Sequence, residues 1–174
     1  MRTTFMLLSA LGLLLGCGDG RDRTADRDAG AMGDQPTTDT MASTSTDTAG
    51  LAWGPAPPAL PSGAKVAVVS GDPAKAGPFT IRIDMPPDYA IRPHHHPTVE
   101  VVRLLEGTLH FGHGPKYDQQ AMKPVALDEL ISIPPKQPHF VHAASRVVVE
   151  VQSTGPFEVT YVDPKDDPRK GSTP

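Results

Sequence analysis

The chain has 174 residues, with 16 Lys and Arg against 20 Asp and Glu for a formal net charge of −4. That length suits one domain with terminal segments to spare, and the lack of any Lys/Arg cluster excludes a nucleic-acid-binding footprint. Cys17 is the single cysteine, which excludes an internal disulfide.

In chain order, Arg2 gives a minimal basic start. Residues 5–15 are then almost unbroken apolar, too short to span a bilayer and of the length of a signal-peptide core. The run ends in Leu14-Leu15-Gly16-Cys17, which resembles the lipobox of bacterial lipoproteins. The resemblance implies that residues 1–16 are a signal peptide cleaved before Cys17. It also implies that Cys17 is lipidated and holds the protein to a bacterial envelope membrane, on its periplasmic or cell-surface face. Two or more acyl chains make such an anchor stable, whereas one does not.

Residues 17–50 follow as a polar Asp/Thr/Ser/Ala/Gly-rich stretch. Between 18 and 48 it has no aromatic residue and no Val, Ile or Leu. It cannot bury enough apolar surface to offset its ordering entropy, so it is expected to be a disordered linker. As a flexible coil, residues 18–62 would span on the order of 35–40 Å, enough to hold a domain clear of lipid headgroups. The texture changes at Leu51, with Trp53 and then Pro55, Pro57, Pro58 and Pro61. Residues 51–165 read as the folded domain and 166–174 as a flexible tail.

Within the domain, short apolar or alternating runs are separated by Gly, Pro and Asp turns. Strands are expected over residues 66–69, 79–85, 98–105, 108–111, 125–127, 130–133, 140–141, 146–152 and 157–162. No window has helical period at useful length, although 118–122 fits a single turn. The pattern is all-β, a barrel or sandwich in one domain.

The sharpest feature is Pro93-His94-His95-His96-Pro97-Thr98-Val99-Glu100, with Gly107 beyond it. On an extended strand alternate side chains share a face, so His94 and His96 point one way, His95 the other, and Glu100 returns to the side of His96. Two imidazoles and a carboxylate on one face suit a divalent ion. A further ligand must come from elsewhere, and His139 follows Pro134-Pro135-Lys136-Gln137-Pro138 at the start of another strand. Three consecutive histidines by themselves read as a surface cluster; Glu100, Gly107 and His139 are what change the reading. His110, His113 and His142 read as strand or loop residues outside the ligand set.

The spacing His94-x-His96-x3-Glu100-x6-Gly107 is similar to the first motif of the cupin family, and Pro134-x4-His139 resembles the second. The resemblance covers roughly residues 53–163. It extends to Ser70-Gly71-Asp72-Pro73 and to Gly155-Pro156-Phe157, which look like those of small bacterial single-domain cupins. It implies a single jelly-roll β-barrel with a metal in its mouth, held by His94, His96, Glu100 and His139. The sequence departs from the family pattern at four places. Asp88 and Asp128 stand where glycines open the two motifs, Lys136 replaces an inner glycine, and Ala143 replaces an Asn. Asp is among the few residues that tolerate the positive φ such turns require.

Four protein ligands leave one or two positions open on a five- or six-coordinate ion. The mixed donors suit one divalent transition metal, with Fe, Mn, Ni, Cu, Co and Zn fitting equally. Val102, Leu104 and Val141 are expected to line a pocket below the ion for a small, mostly apolar molecule with chelating oxygens. Tyr89, Arg92 and Lys116 are candidate rim groups. Three readings follow: a metal-dependent dioxygenase or isomerase acting on a small oxygenated compound, a non-catalytic metal- or ligand-binding module, and an anchored β-barrel without metal. The expected partners are a small-molecule substrate or ligand and the membrane, with homodimer pairing through edge strands left open.

Overall fold

The computed structural model describes residues 50–171. The lipobox, Cys17 and residues 17–49 of the expected linker lie outside the described residues. The chain runs through β1 (Gly54–Pro55), β2 (Lys65–Ser70), β3 (Gly77–Met85), β4 (Tyr89–His95), β5 (Glu100–Glu106) and β6 (Leu109–His113). It continues through β7 (Lys123–Pro124), β8 (Leu130–Ile133), β9 (His139–Ala143), β10 (Val147–Gly155) and β11 (Thr160–Tyr161). Single 3-10 turns form at Gln119–Ala121, Pro164–Asp166 and Pro168–Lys170.

Two antiparallel sheets result, ordered β1-β2-β3-β10-β5-β8 and β11-β4-β9-β6-β7. Period-two alternation decides what lies between them. Phe79, Ile81, Ile83 and Met85 of β3 point inward beside Val147, Val149 and Val151 of β10 and Val102 and Leu104 of β5. Tyr89, Ile91, Leu109, Phe111 and Val141 meet them from the other sheet. The all-β reading is thus what the chain adopts, and its mixed sheet order makes the jelly-roll sandwich.

Several local expectations change. Residues 89–95 form a full strand, β4. Residues 125–127 form a loop instead of a strand: the Val125 N–H donates to the Leu109 carbonyl and the Glu129 N–H closes a turn onto Ala126. The expected strand 157–162 shrinks to Thr160–Tyr161 because the Phe157 N–H is taken by the Pro73 carbonyl, away from any strand partner. Ordered structure also runs past 165. Asp163 and Asp167 cap the two final turns, and Arg169 binds both Asp167 and the Val159 carbonyl.

A candidate metal centre

The site begins with an irregularity in β4. Ile91 pairs with Val141 and His94 with His139, so three steps along β4 match two along β9. The extra residue falls at Arg92-Pro93, where proline has no N–H to give the ladder. This bulge shifts the alternation by one. Ile91 and His94 therefore both face the interior, and His96 follows. On the neighbouring strand His139 opens β9 directly opposite His94.

Glu100 arrives differently from the sequence expectation. The strand does not run on from His94 to Glu100; β4 ends at His95, the chain turns through Pro97, and Glu100 is the first residue of β5 in the facing sheet. The carboxylate therefore reaches the imidazoles across the sandwich. Its Oε2 lies 3.3 Å from His96 Nε2 and 3.2 Å from His139 Nε2. Ligand atoms of His94, His96 and His139 all lie within 4.8 Å of one another. All four residues are buried, at 4%, 4%, 6% and 2% exposure for His94, His96, Glu100 and His139.

The backbone fixes which nitrogen of each ring points inward. His94 Nδ1 lies 2.8 Å from the Arg92 carbonyl, His96 Nδ1 2.8 Å from that of Glu158, and His139 Nδ1 3.1 Å from that of Gln137. A carbonyl only accepts, so each Nδ1 carries the hydrogen and each Nε2 presents a lone pair to the centre. Glu100 Oε2 is also acceptor-only when ionised. With neutral rings, His96 Nε2 and Glu100 Oε2 have no hydrogen-bond partner although both are buried. Such a convergence of lone pairs is stable only with a positive charge among them, either a proton or a cation.

The electrostatics agree. Burial, reinforced by His139 and His96, pushes the His94 value down to about 3, so this ring stays neutral and available. Burial alone would lower His96 too, but hydrogen bonding and charge from Glu100 outweigh it and raise the value. Burial alone would raise Glu100, yet its contacts with His139 and His96 hold the carboxyl well below the usual range. The ionised Glu100 carboxylate thus favours a positive charge beside His96, a place that either a proton on the ring or a divalent transition metal can take.

Aromatic rings enclose the cluster. Phe157 stacks on His96 with centroids 4.6 Å apart and planes at 13°, and Phe111 stacks on His139 at 5.7 Å and 14°. The Tyr161 ring lies 5.9 Å from His94. Sequence reasoning did not single out these three residues for the site; the only cue was their inward phase near the motifs. Below the histidines is a cavity of about 40 Å³, lined by Val102 and Val141 as expected and also by Phe111, Val149 and Val151. Leu104 is part of the packed core instead.

None of the three rim candidates lines the cavity below the histidines. Burying Tyr89 sends its hydroxyl to the Pro61 carbonyl. The Arg92 guanidinium sits 4.1 Å over the Tyr117 ring, and Lys116 is exposed. His110 and His142 face each other across β6 and β9 with centroids 6.3 Å apart, outside the cluster, and His113 contacts Gln137.

No family model matches the chain, and no curated protein matches it either. Solved structures do. The polyketide cyclase RemF from Streptomyces resistomycificus superposes with a TM-score of 0.51 at 21% identity, over 62% of this chain and 76% of that one. A cupin 2 conserved barrel domain protein from Rhodopseudomonas palustris gives a TM-score of 0.51 at 17% identity, over 67% and 81%. The likeness is one of fold, and this chain has the cupin fold.

Proposed function

We propose that the protein is an exported, lipid-anchored, metal-binding protein of cupin fold, with one divalent transition-metal ion held by His94, His96, Glu100 and His139. We further propose that the centre serves a dioxygenase- or isomerase-type reaction on a small oxygenated compound. The observation that carries the metal reading is a buried group of three imidazoles whose ligand atoms lie within 4.8 Å of one another, each Nδ1 held by a backbone carbonyl, with a Glu100 oxygen against His96 and His139. When bound there, such an ion would supply Lewis acidity or, for a redox metal, access to dioxygen chemistry.

The chain's own groups have separable roles in this reading. Glu100 supplies the negative charge that offsets the cation. The carbonyls of Arg92, Glu158 and Gln137 keep the three rings in one tautomer, as outer-shell partners do in metal sites. Phe111 and Phe157 exclude bulk water from two of the imidazoles. The export reading rests on Leu14-Leu15-Gly16-Cys17 and the apolar run before it.

The 40 Å³ cavity favours a second reading. It exceeds what one water needs but falls well short of the hundreds of Å³ usual for an organic ligand. A non-catalytic module that binds metal or a very small ligand fits that volume. Oxygen-uptake and isomerisation assays with small diols, ketones and phenols separate the two readings. Turnover that requires one metal and is lost in Glu100→Gln supports the enzyme; full metal loading without turnover supports the binding module. Cys17→Ala is expected to move the protein out of the membrane fraction, and a variant that stays membrane-bound contradicts the anchor.

A further inference from the structure

An apolar cavity among the described residues lies outside the histidine cluster and stands independently of the metal reading. The strap at residues 55–62 carries Pro55, Pro57, Pro58 and Pro61. Two buried tyrosines tie it down: the Tyr89 hydroxyl donates to the Pro61 carbonyl and the Tyr161 hydroxyl to the Ala59 carbonyl, the latter at 2.9 Å. The strap bounds a cavity of about 200 Å³ whose walls include Leu60, Val66, Ile81, Ile83, Phe157 and Val159.

No lining residue has a side-chain nitrogen or oxygen. The nearby backbone acceptors are already engaged: Pro57 by the Leu60 N–H, Ala59 by Tyr161, and Pro73 by the Phe157 N–H. A water entering would find few partners, and ordered buried waters typically make about three hydrogen bonds. An apolar cavity of ~150 Å³ lined by Leu, Ile and Phe stays dry and takes benzene. This one is larger and has the same lining chemistry, and it opens to solvent beside the exposed Pro57 and Ala74, which gives a ligand a way in.

We propose that the cavity beneath the strap is a binding site for a small uncharged aromatic ring. Phe157 forms one wall and offers its ring for offset or edge contact, as it does to Phe79 at 5.2 Å. The same ring stacks on His96, so a bound ligand lies one ring away from the histidine cluster. The absence of polar lining groups selects against carboxylates, phosphates and sugars, whose desolvation nothing here would offset.

The test is a titration of toluene into the full chain, followed in methyl 1H–13C spectra and by thermal unfolding. The expected result is saturable shifts at Leu60, Val66, Ile81, Ile83 and Val159, with a rise in Tm. Leu60→Trp, which fills the cavity, should weaken binding at least tenfold while leaving the β-sheet circular dichroism intact. Ala74→Leu fills it from the opposite wall and makes the same comparison if Leu60→Trp does not fold. Absent or non-saturating shifts would overturn the proposal. So would saturable shifts centred on Val102, Val141 and Val149 of the other cavity, or unweakened binding in a folded cavity-filling variant.

Discussion

Lys136 holds a left-handed backbone at φ +60°, with no side-chain feature that favours it. Asp88 and Asp128 adopt the same conformation at +62° and +63°, at the two other positions where glycine is expected. Every residue with a Cβ pays a steric cost there; a short polar side chain can offset part of it by hydrogen bonding locally, which lysine does not. The Lys136 turn matters because its N–H donates to the His96 carbonyl and its chain leads into His139. Lys136→Gly should therefore stabilise the fold by about 0.5–1 kcal/mol, the relief of strain reduced by glycine's greater freedom when unfolded. Urea denaturation checks this; an unchanged or lower midpoint contradicts it.

Among the elements, β4 and β5 set the geometry of the centre, and their junction is where alternation alone misleads. Pro93 creates the bulge that turns His94 inward, and Pro97 ends the strand so that Glu100 starts in the opposite sheet. The four residue types and their order were legible in the sequence, because spacing survives a bulge and a turn. The route by which Glu100 reaches the imidazoles was not, because period two assumes one unbroken strand. The hairpin from β5 to β6 was legible in Gly107. Its φ is +89°, and an added Cβ would run into the Arg146 carbonyl oxygen, a backbone atom with nowhere to go. Gly107→Ala should cost at least ~2 kcal/mol through strain and clash together. A loss below 0.5 kcal/mol, well under the ~1 kcal/mol of the smallest such strain, would contradict that account.

At the scale of the whole molecule, the sheets were readable from hydrophobic alternation, since the core positions that β3, β5 and β10 supply, Glu100 at the metal centre apart, are Val, Leu, Ile, Met or Phe. The strap was not readable as a wall of the domain, because proline-rich sequence carries no period and its anchors, Tyr89 and Tyr161, are distant in sequence. Those anchors make a pH prediction. Burial, with Asp167 adding and Arg169 opposing, pushes the Tyr161 phenol up to about 12. An unfolded tyrosine ionises near 10. Between these values the unfolded chain loses the proton first, so stability should fall as pH rises from about 10 towards 12. Tyr161→Phe should flatten that decline. An equally steep decline in the variant would show that Tyr161 does not contribute to it.

Four side chains are proposed to hold one ion, and elemental analysis of protein purified without an affinity tag reads that ion itself. The expected result is close to one equivalent of a single divalent transition metal in the wild type, with most of it lost in His96→Ala and in Glu100→Ala while the β-sheet circular dichroism is retained. Metal-free wild-type protein that takes up none on reconstitution, or metal content unchanged in both folded variants, would contradict it.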